Sequence, residues 1–271
     1  MAGAPPLVVP DQLGHPVEIR PVARVLTLAP DVTELVFALG AGSLLPAVPR
    51  SANFPPAAAT LARFDERDVE AVISLRPELV VATTAGTDPR LVESLTALGV
   101  PVATTDVTSC DRLAEASRLL GALLHREADG ARLSASVLDR CARATERARR
   151  LPALRALYVV WWDPLIVAAP GTFHDDLLRR GGLQNLAPTS AGRYPLASRE
   201  LLLDPRLEVV VAPDEADLRT MLRALLERPE GRRLADHSVR TIWLPADPAS
   251  RPGPRLVDAL EALVRAREAT P

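Results

Sequence analysis

Side chains that could carry chemistry are few in this sequence, and their spacing forms no catalytic motif. All 32 basic residues are arginine, because the chain contains no lysine. This excludes a P-loop lysine, a Schiff-base lysine and a lysine general base. No GxSxG, GxGxxG or HExxH pattern occurs. Asp175 and Asp176 open a predicted helix, where adjacent side chains diverge, so they indicate a solvated helix start rather than a catalytic carboxylate pair.

Potential metal ligands and thiols are scattered as well. No HxxxH or HxH pair occurs, so the sequence does not predict a histidine-built metal site. The four histidines are His15, His125, His174 and His237. Cys110 and Cys141 lie in helical patterns without CxxC spacing. Buried free thiols are the favoured interpretation of this pair, and a disulfide is the open alternative.

Composition narrows the class of protein. The chain has 271 residues, 48% of them hydrophobic, and a formal net charge of -2. No apolar run approaches the ~20 residues of a membrane span, and the charge gives no case for nucleic acid or anionic lipid. Met1 is followed by AGAPPL, which lacks the regions of a signal peptide. We expect a cytoplasmic protein if Met1 is the native start, and a periplasmic or extracytoplasmic one if an upstream signal was removed.

One long helix is the element around which the chain is organised. The stretch EADGARLSASVLDRCARATERARR predicts a helix over 127–150. Two adjacent stripes at steps of three and four predict a broad apolar face. Their members are Ala131, Ala135, Leu138, Ala142, Val137, Cys141, Ala144 and Ala148. Acidic residues in the first turn and arginines in the last suit the helix dipole, and Pro152 stops the helix.

Strands and helices alternate before this helix, and the alternation restarts after it. Predicted strands of the first part are 24–29, 44–48, 78–83 and 100–104, with helices from 32 to about 39 and over 68–75, 88–98 and 111–124. Later strands are 155–161, 165–169, 208–212 and 241–244, with helices at 174–180, 198–203, 217–227 and 255–267. This pattern predicts two Rossmann-like α/β lobes, 1–126 and 151–271, joined by the 127–150 helix.

Ligands of open α/β lobes bind at loops beyond the carboxyl ends of the strands. In the first lobe these loops are 30–33, 50–54, 83–87 and Asp106, and in the second they are 161–163, 170–173, Tyr194 and 247–251. Pro30 opens the first of them. Trp161, Trp162 and Tyr194 fall in the second group, although neighbours on a strand face opposite ways, so one tryptophan is expected in the core.

Five segments, in the order of one family, extend over residues 24–265. They are RVLTLAPDVTELVFALG, DVEAVISLRPELVVATT, WWDPLIVAAPGTFHDDLLRRGGLQNLA, YPLASRELL and LPADPASRPGPRLVDALEAL. Together they resemble the substrate-binding proteins of ABC importers for cobalamin, haem and ferric siderophores. The resemblance implies two α/β lobes bridged by one long helix, with the ligand in a cleft between the lobes, and a monomer that delivers a metal chelate to a membrane permease.

The resemblance also implies site residues and leaves the ligand open. Asp247 and Arg251 match an acid and an arginine that contact the corrin in cobalamin-binding members, and Tyr194 replaces a tryptophan. The Asp-x-x-x-Arg spacing allows both side chains to meet one ligand edge from a single loop, while a surface salt bridge is the alternative. Aromatic positions of the first lobe are occupied by Ser51 and Thr84, which leaves Phe64 as the nearest aromatic.

Cobalamin is favoured over two other metal chelates. A ferric siderophore would use arginines such as Arg50, Arg193 and Arg251. Haem would need an axial Tyr194 or His174. A cytoplasmic corrinoid or haem carrier or sensor is a further alternative, and an α/β hydrolase or transferase would require an acid–base pair converging in the cleft. Glu70 and Glu200 match the family's two exposed glutamates, which dock onto arginines of the permease. No enzyme activity, catalytic cofactor, metal ligand or nucleic-acid partner is expected.

Overall fold

The computed structural model describes residues 7–189, 192–236 and 238–269, and it divides into two compact units. The first unit comprises Met1–Val107 and Asp111–Leu138, and the second comprises Thr108–Cys110 and Asp139–Pro271. Among the described residues, no helix has the length and apolar character of a membrane span. His237 lies outside the described residues.

The first unit contains three small sheets. Its elements are β1 (Leu7–Pro10), β2 (Pro16–Ile19), β3 (Val25–Thr27), α1 (Pro30–Ala38), β4 (Ala47–Pro49), β5 (Ala62–Phe64), α2 (Val69–Ser74), β6 (Leu79–Thr83), α3 (Pro89–Ala97), β7 (Val102–Thr105) and α4 (Cys110–Leu123). Short 3-10 helices occupy Gly42–Leu44 and Pro56–Thr60. Strands β3, β6 and β7 form a parallel sheet in the order β3-β6-β7, β4 pairs in parallel with β5, and β1 pairs antiparallel with β2.

The second unit is built on one larger sheet. Its elements are β8 (Leu154–Trp162), β9 (Leu165–Val167), α6 (Phe173–Arg180), β10 (Leu183–Asn185), β11 (Val209–Pro213), α7 (Ala216–Leu226), α8 (Arg232–Ala235), β12 (Arg240–Leu244), α9 (Ala246–Ser250) and α10 (Leu256–Glu268). Two 3-10 helices occupy Arg199–Leu203 and Pro229–Gly231. The parallel order is β10-β8-β11-β12, and β9 turns back antiparallel to the end of β8.

Both predicted parallel sheets are confirmed, and their sequences explain them. Every residue of β6 and of β11 is buried, as expected for parallel strands covered by helices on both faces. The predicted start of the first helix was two residues late. Pro30 is the first residue of α1 rather than part of a loop, because proline fits the first helical position, where its missing N–H leaves no bond unmade. The 30–33 loop is therefore a helical turn.

Strands β5 and β10 and helices α8 and α9 were not predicted. Each has only three to five residues, too few to show a repeat of two or of 3.6 residues. Tertiary neighbours select the conformation of such short segments.

The long helix predicted over 127–150 is α5 (Glu127–Ala148), which passes from the first unit into the second. Its buried stripe runs through Ser134, Val137, Cys141, Ala144 and Ala148. The predicted stripe of Ala131, Ala135, Leu138 and Ala142 is wrong, because its three alanines are exposed. Alanine loses little by facing water, so an alanine repeat indicates a helix better than it indicates a face.

Ion pairs between helices fix the end of the chain within the second unit. Arg140 on α5 contacts Asp258 at 2.6 Å and Glu261 at 2.9 Å on α10. Arg267, which is buried, donates to the carbonyl oxygens of Gly181 and Pro152. These hydrogen bonds tie α10 to the end of α6 and to the segment before β8.

The two cysteines form a disulfide, so the favoured prediction of free thiols was wrong. Cys110 at the start of α4 is bonded to Cys141 in the middle of α5, and both residues belong to the second unit. Helical patterning correctly placed both cysteines on buried helix faces. Their proximity depends on how α4 and α5 pack, which no spacing in the sequence specifies.

We expect reduction of this disulfide to lower the free energy of unfolding by about 3 to 4 kcal/mol, because the bond restricts a loop of about thirty residues in the unfolded chain. Denaturant titrations with and without reductant measure the effect. Cys110→Ser/Cys141→Ser is the control, since reductant should leave its curve unchanged. Identical curves for oxidised and fully reduced wild-type protein would contradict the expectation.

Candidate functional site

Two predicted site residues of the first unit lie at the carboxyl edge of the parallel sheet. Pro30 follows β3 and Thr84 follows β6, while Asp106 follows β7. The Thr84 hydroxyl donates to the Asp106 carboxylate, and its backbone N–H donates to the Thr105 carbonyl at 2.9 Å. Gln12 accepts from the Asp106 N–H at 2.8 Å. The side chains at this edge are therefore held in place by neighbours, as a preformed binding surface requires.

Ser51 lies two residues beyond β4 and Phe64 is the last residue of β5, the other parallel pair of this unit, but their environments differ. Ser51 is exposed, and its hydroxyl lies 3.5 Å from a carboxylate oxygen of Glu66. Phe64 is only 7% exposed and packs in the core with Leu28, Val72 and other apolar residues. The aromatic ring expected to substitute for the family's missing aromatics therefore supports the core, and we leave it out of the proposed site.

A buried acid beside Pro30 was not predicted. Asp31 is 4% exposed in the first turn of α1, and burial raises its pKa to about 6, partly offset by a hydrogen bond from the Thr83 hydroxyl. Glu34, also buried, adds a smaller repulsion. One oxygen of Asp31 has no hydrogen-bond partner among the described residues. A polar residue just after a buried strand was the available signal, but the sequence could not show its burial.

Tyr194 belongs to a stack of rings in the second unit. Its ring centre is 5.7 Å from that of His174, which lies 4.2 Å from Tyr158 and 3.7 Å from Phe173. Tyr194 is 40% exposed, whereas Tyr158 is fully buried. The segment around Tyr194 is fixed by backbone bonds, including Ala169 N–H to the Arg193 carbonyl at 3.0 Å. Tyr194 thus presents an exposed ring from a rigid base.

His174 is buried and neutral. Burial lowers its pKa to about 3, against the opposing effect of a hydrogen bond to the Ala249 backbone. A neutral imidazole has one donor and one acceptor, so donation to Ala249 leaves Nδ1 to accept from the Tyr194 hydroxyl at 3.4 Å. Tyr158 also donates to the Ala249 carbonyl, at 2.8 Å. Both ring nitrogens of His174 have protein partners, which does not suit an axial haem ligand.

The two bonds to Ala249 hold α9, which carries the predicted acid. Asp247 lies in the first turn of α9, and Arg251 directly follows the helix, so they do not share the single loop that the spacing suggested. Arg251 contacts Asp247 at 3.0 Å, and Arg255 contacts the other carboxylate oxygen at 3.4 Å. The exposed fraction of the side chain is 35% for Asp247, 17% for Arg251 and 19% for Arg255. The ion pair kept open as the alternative is present, and the three groups carry a net positive charge.

Trp161 and Trp162 differ in burial. Trp162 is fully buried in the core of the second unit, so we leave it out of the proposed site. Trp161 is half-buried, and its indole N–H donates to the Asp163 carbonyl at 2.9 Å. Trp161 lies near the tip of the β8–β9 hairpin, three residues beyond Tyr158 along β8.

The acidic pair at the start of α6 has a structural role that was not predicted. Asp175 accepts hydrogen bonds from Gly171 N–H and from Asn185, which fixes the 170–173 loop. Asp176 is 5% exposed and forms ion pairs with Arg179 and Arg180. It also accepts from the Cys110 N–H at 3.0 Å. The expectation of a solvated helix start is wrong for Asp176.

Glu70 and Glu200 have the same local geometry in the two units. Each is the second residue of a short helix, and its backbone N–H donates to the capping side chain two residues earlier, Asp68 at 2.9 Å or Ser198 at 3.3 Å. Both side chains are exposed. In the described parts of the chain, neither carboxylate forms an ion pair. Each glutamate therefore presents an uncompensated negative charge to solvent.

Two α/β units, each with polar or aromatic side chains at the carboxyl edge of a parallel sheet, define the architecture of a solute-binding protein. Within the described ranges, no cluster of three or more His, Cys, Asp or Glu side chains could hold a metal ion. Residues 25–235 match the sequence profile of the periplasmic binding protein family. The chain belongs to this family.

Proteins with similar sequences or structures have names that refer to the binding of vitamin B12 or heme. The vitamin B12-binding protein of Vibrio cholerae serotype O1 is 27% identical over 261 residues, which cover 94% of this chain and 91% of that protein. The crystal structure of periplasmic vitamin B12 binding protein BtuF of Vibrio cholerae has a TM-score of 0.79 and 26% identity, covering 92% of this chain and 98% of BtuF. The periplasmic heme-binding protein RhuT from Roseiflexus sp. RS-1 has a TM-score of 0.76 and 27% identity, covering 90% and 98%.

The substitution Asp31→Asn should stabilise the protein at neutral pH. Because the folded-state pKa is raised from 3.8 to about 6, the folded protein retains a proton that the unfolded chain releases. Stability is therefore lost as the pH rises from about 4 to 6. The variant should gain about 3 kcal/mol at pH 7 and lose this pH dependence.

Urea titrations between pH 4 and 8 measure the difference. Asp217→Asn, at an exposed position on α7, controls for the loss of one carboxylate. A pH profile of Asp31→Asn parallel to that of the wild type would show that Asp31 is ionised without cost.

Proposed function

We propose that this protein is the substrate-binding protein of an ABC importer, that it binds a corrinoid such as cobalamin, and that it delivers the ligand to a membrane permease. The observation that carries the proposal is the similarity to a vitamin B12-binding protein over 94% of the chain. Similarity to the BtuF structure over nearly all of that protein supports it. Since a binding protein requires no reacting group, we also propose that the chain is not an enzyme.

In each unit by itself, the proposed ligand-contacting residues suit a flat macrocycle with polar edges. Tyr194 and the half-buried Trp161 offer aromatic surface. Asp247 and Arg251 offer an acceptor and donors, which can pair with amide groups at the rim of a corrinoid. The first unit contributes Pro30, Ser51 and Thr84. Two of these are small polar side chains, so we expect this part of the site to bind through hydrogen bonds rather than by stacking.

Haem is the second candidate, and two observations favour it. RhuT, described as a periplasmic heme-binding protein, has an identity comparable to that of BtuF. Tyr194 presents an exposed phenol, which is a known type of axial haem ligand. Its hydroxyl lies 3.4 Å from His174 Nδ1, so the imidazole would accept its proton in a hydrogen bond and increase the electron density on oxygen.

A ferric siderophore would instead use the arginines, among which Arg193 is exposed.

The disulfide bears on the cellular compartment. Disulfides persist in oxidising compartments and are rare in the cytosol. The Cys110–Cys141 bond therefore supports an extracytoplasmic location and weighs against the cytoplasmic carrier or sensor. We propose that the mature protein acts in the periplasm or at the outer face of the membrane, as a monomer.

Titration calorimetry with cyanocobalamin, haem and a panel of ferric siderophores tests the ligand. We expect saturable one-to-one binding of cyanocobalamin. Asp247→Ala/Arg251→Ala should weaken it at least about a hundredfold, since two charged hydrogen-bonding groups are removed. Haem binding that is lost in Tyr194→Phe, together with no response to cyanocobalamin, would assign haem instead.

The matched control is Asp139→Ala/Arg143→Ala. This pair has the same Asp-x-x-x-Arg spacing and also forms an ion pair, but it lies on the exposed face of α5. Its affinity for cyanocobalamin should equal that of the wild type. If it weakens binding as much as the Asp247 and Arg251 variant, the loss reports general charge or stability and the assigned site is wrong.

Glu70 and Glu200 are the proposed contacts with arginines of the permease. Because exposed charges act mainly on the association rate, Glu70→Gln and Glu200→Gln should each slow association with the importer's membrane complex about tenfold at low salt and leave cyanocobalamin affinity unchanged. Surface plasmon resonance with the complex in nanodiscs measures this. Glu93→Gln and Glu227→Gln, at exposed positions of the two units, are the controls. Equal rates for all four variants would refute the docking assignment.

A further inference from the structure

An apolar groove lies directly beside Glu200 in the second unit. Its volume is about 690 Å³, and it runs between the segment after β10 and the 3-10 helix Arg199–Leu203. Most of its lining is apolar, namely Leu186, Pro188, Leu196, Ala197, Leu201 and Leu203. Glu200 also lines it. We refer to this feature as the Glu200 groove.

Two leucines of the Glu200 groove are exposed and do not contribute to the core of the unit. The Leu196 side chain is 71% exposed and that of Leu203 is 40% exposed. Neither belongs to the core cluster of the unit, which uses the neighbouring Leu202. Exposed apolar side chains that converge on one groove are typical of a surface that another molecule covers.

The negative charge of Glu200 favours an occupant with a positive charge. Asp204 and Arg206 line the groove and form an ion pair at 2.7 Å, so they neutralise each other. Glu200 is thus the uncompensated charge of the lining. An occupant that fits must combine an apolar side chain with a cation.

A depression bordered by Val69, the neighbour of Glu70 in the first unit, differs in chemistry from the Glu200 groove. It has a volume of about 500 Å³ and is lined by two acids and two arginines, Glu66, Asp88, Arg67 and Arg90, besides smaller and apolar residues. Glu70 and Glu200 therefore share a backbone geometry but not a neighbourhood, since four charged side chains line the depression in the first unit and mostly apolar ones line the Glu200 groove.

We propose that the Glu200 groove binds an apolar side chain of a permease segment, next to the basic residue that pairs with Glu200. The inference rests on the proposed function, because it assigns the partner as the importer's membrane subunit. Contact at the second unit then combines apolar burial with charge, whereas contact at the first unit is polar. Apolar burial slows dissociation and resists salt, while an exposed charge pair acts on association and is screened.

The test compares Leu196→Ser/Leu203→Ser with Glu200→Gln and with Leu98→Ser. Leu98 is a 62% exposed leucine at the end of α3 in the first unit and is the matched control. Binding of the full chain to the membrane complex from the same organism, in lipid nanodiscs, is followed by surface plasmon resonance at low and high salt. Empty nanodiscs and calorimetry with cyanocobalamin are run for every variant.

We expect the double leucine variant to dissociate about tenfold faster at both salt concentrations, with unchanged cyanocobalamin affinity. Glu200→Gln should slow association at low salt only, and Leu98→Ser should match the wild type. If the double leucine variant dissociates at the same rate as the wild type, the groove inference is overturned, while the proposed transport function still stands. Absence of binding by the wild type would instead refute the proposed function.

Two other occupants would also overturn the inference. Binding of wild type to empty nanodiscs, lost in the double leucine variant, would assign the groove to lipid. A wild-type dimer in sedimentation equilibrium that becomes monomeric in the double variant would assign it to a second copy of the chain. The melting temperature of the double leucine variant is measured by circular dichroism. A value within a few degrees of that of the wild type shows that the variant is folded.

Discussion

Burial of the parallel strands on both faces is the constraint on which the rest of the structure depends. Strands β6 and β11 are buried at every residue, so their faces cannot hold a ligand, and polar side chains are restricted to the strand ends. Thr84 directly follows β6, and Asp106 and Asp247 lie beyond the carboxyl ends of the parallel strands β7 and β12. In both units, polar side chains therefore occur beyond the carboxyl ends of parallel strands.

Side chains at these edges are held by buried or half-buried groups behind them. In the second unit, Tyr158 and His174 both bind the Ala249 carbonyl, which positions α9 and its Asp247. In the first unit, Gln12 holds the backbone of Asp106, whose carboxylate accepts from Thr84. These hydrogen bonds fix the positions of Asp106, Thr84 and α9. Groups that are held in place before binding lower the entropy cost of binding a ligand.

Family membership narrows the function more than the site does. Matching the periplasmic binding protein family defines capture of a solute as the role, while Ser51 and Thr84 give this chain a more polar first unit than the aromatic positions they replace. Asp247, Arg251 and Arg255 form an ion-pair cluster in the second unit. Both features bear on the ligand only through the proposed site.

The sequence alone determined the two α/β units, the long helix and the order of nearly all long elements, because those depend on local periodicity and on stop residues such as Pro152. Tertiary structure decided what periodicity does not encode. Packing of α4 against α5 brought Cys110 to Cys141, and core packing buried Phe64 and Trp162 while leaving Tyr194 exposed. Residue type restricts which groups can bind a ligand, but only the arrangement of neighbours determines which of them reach the surface.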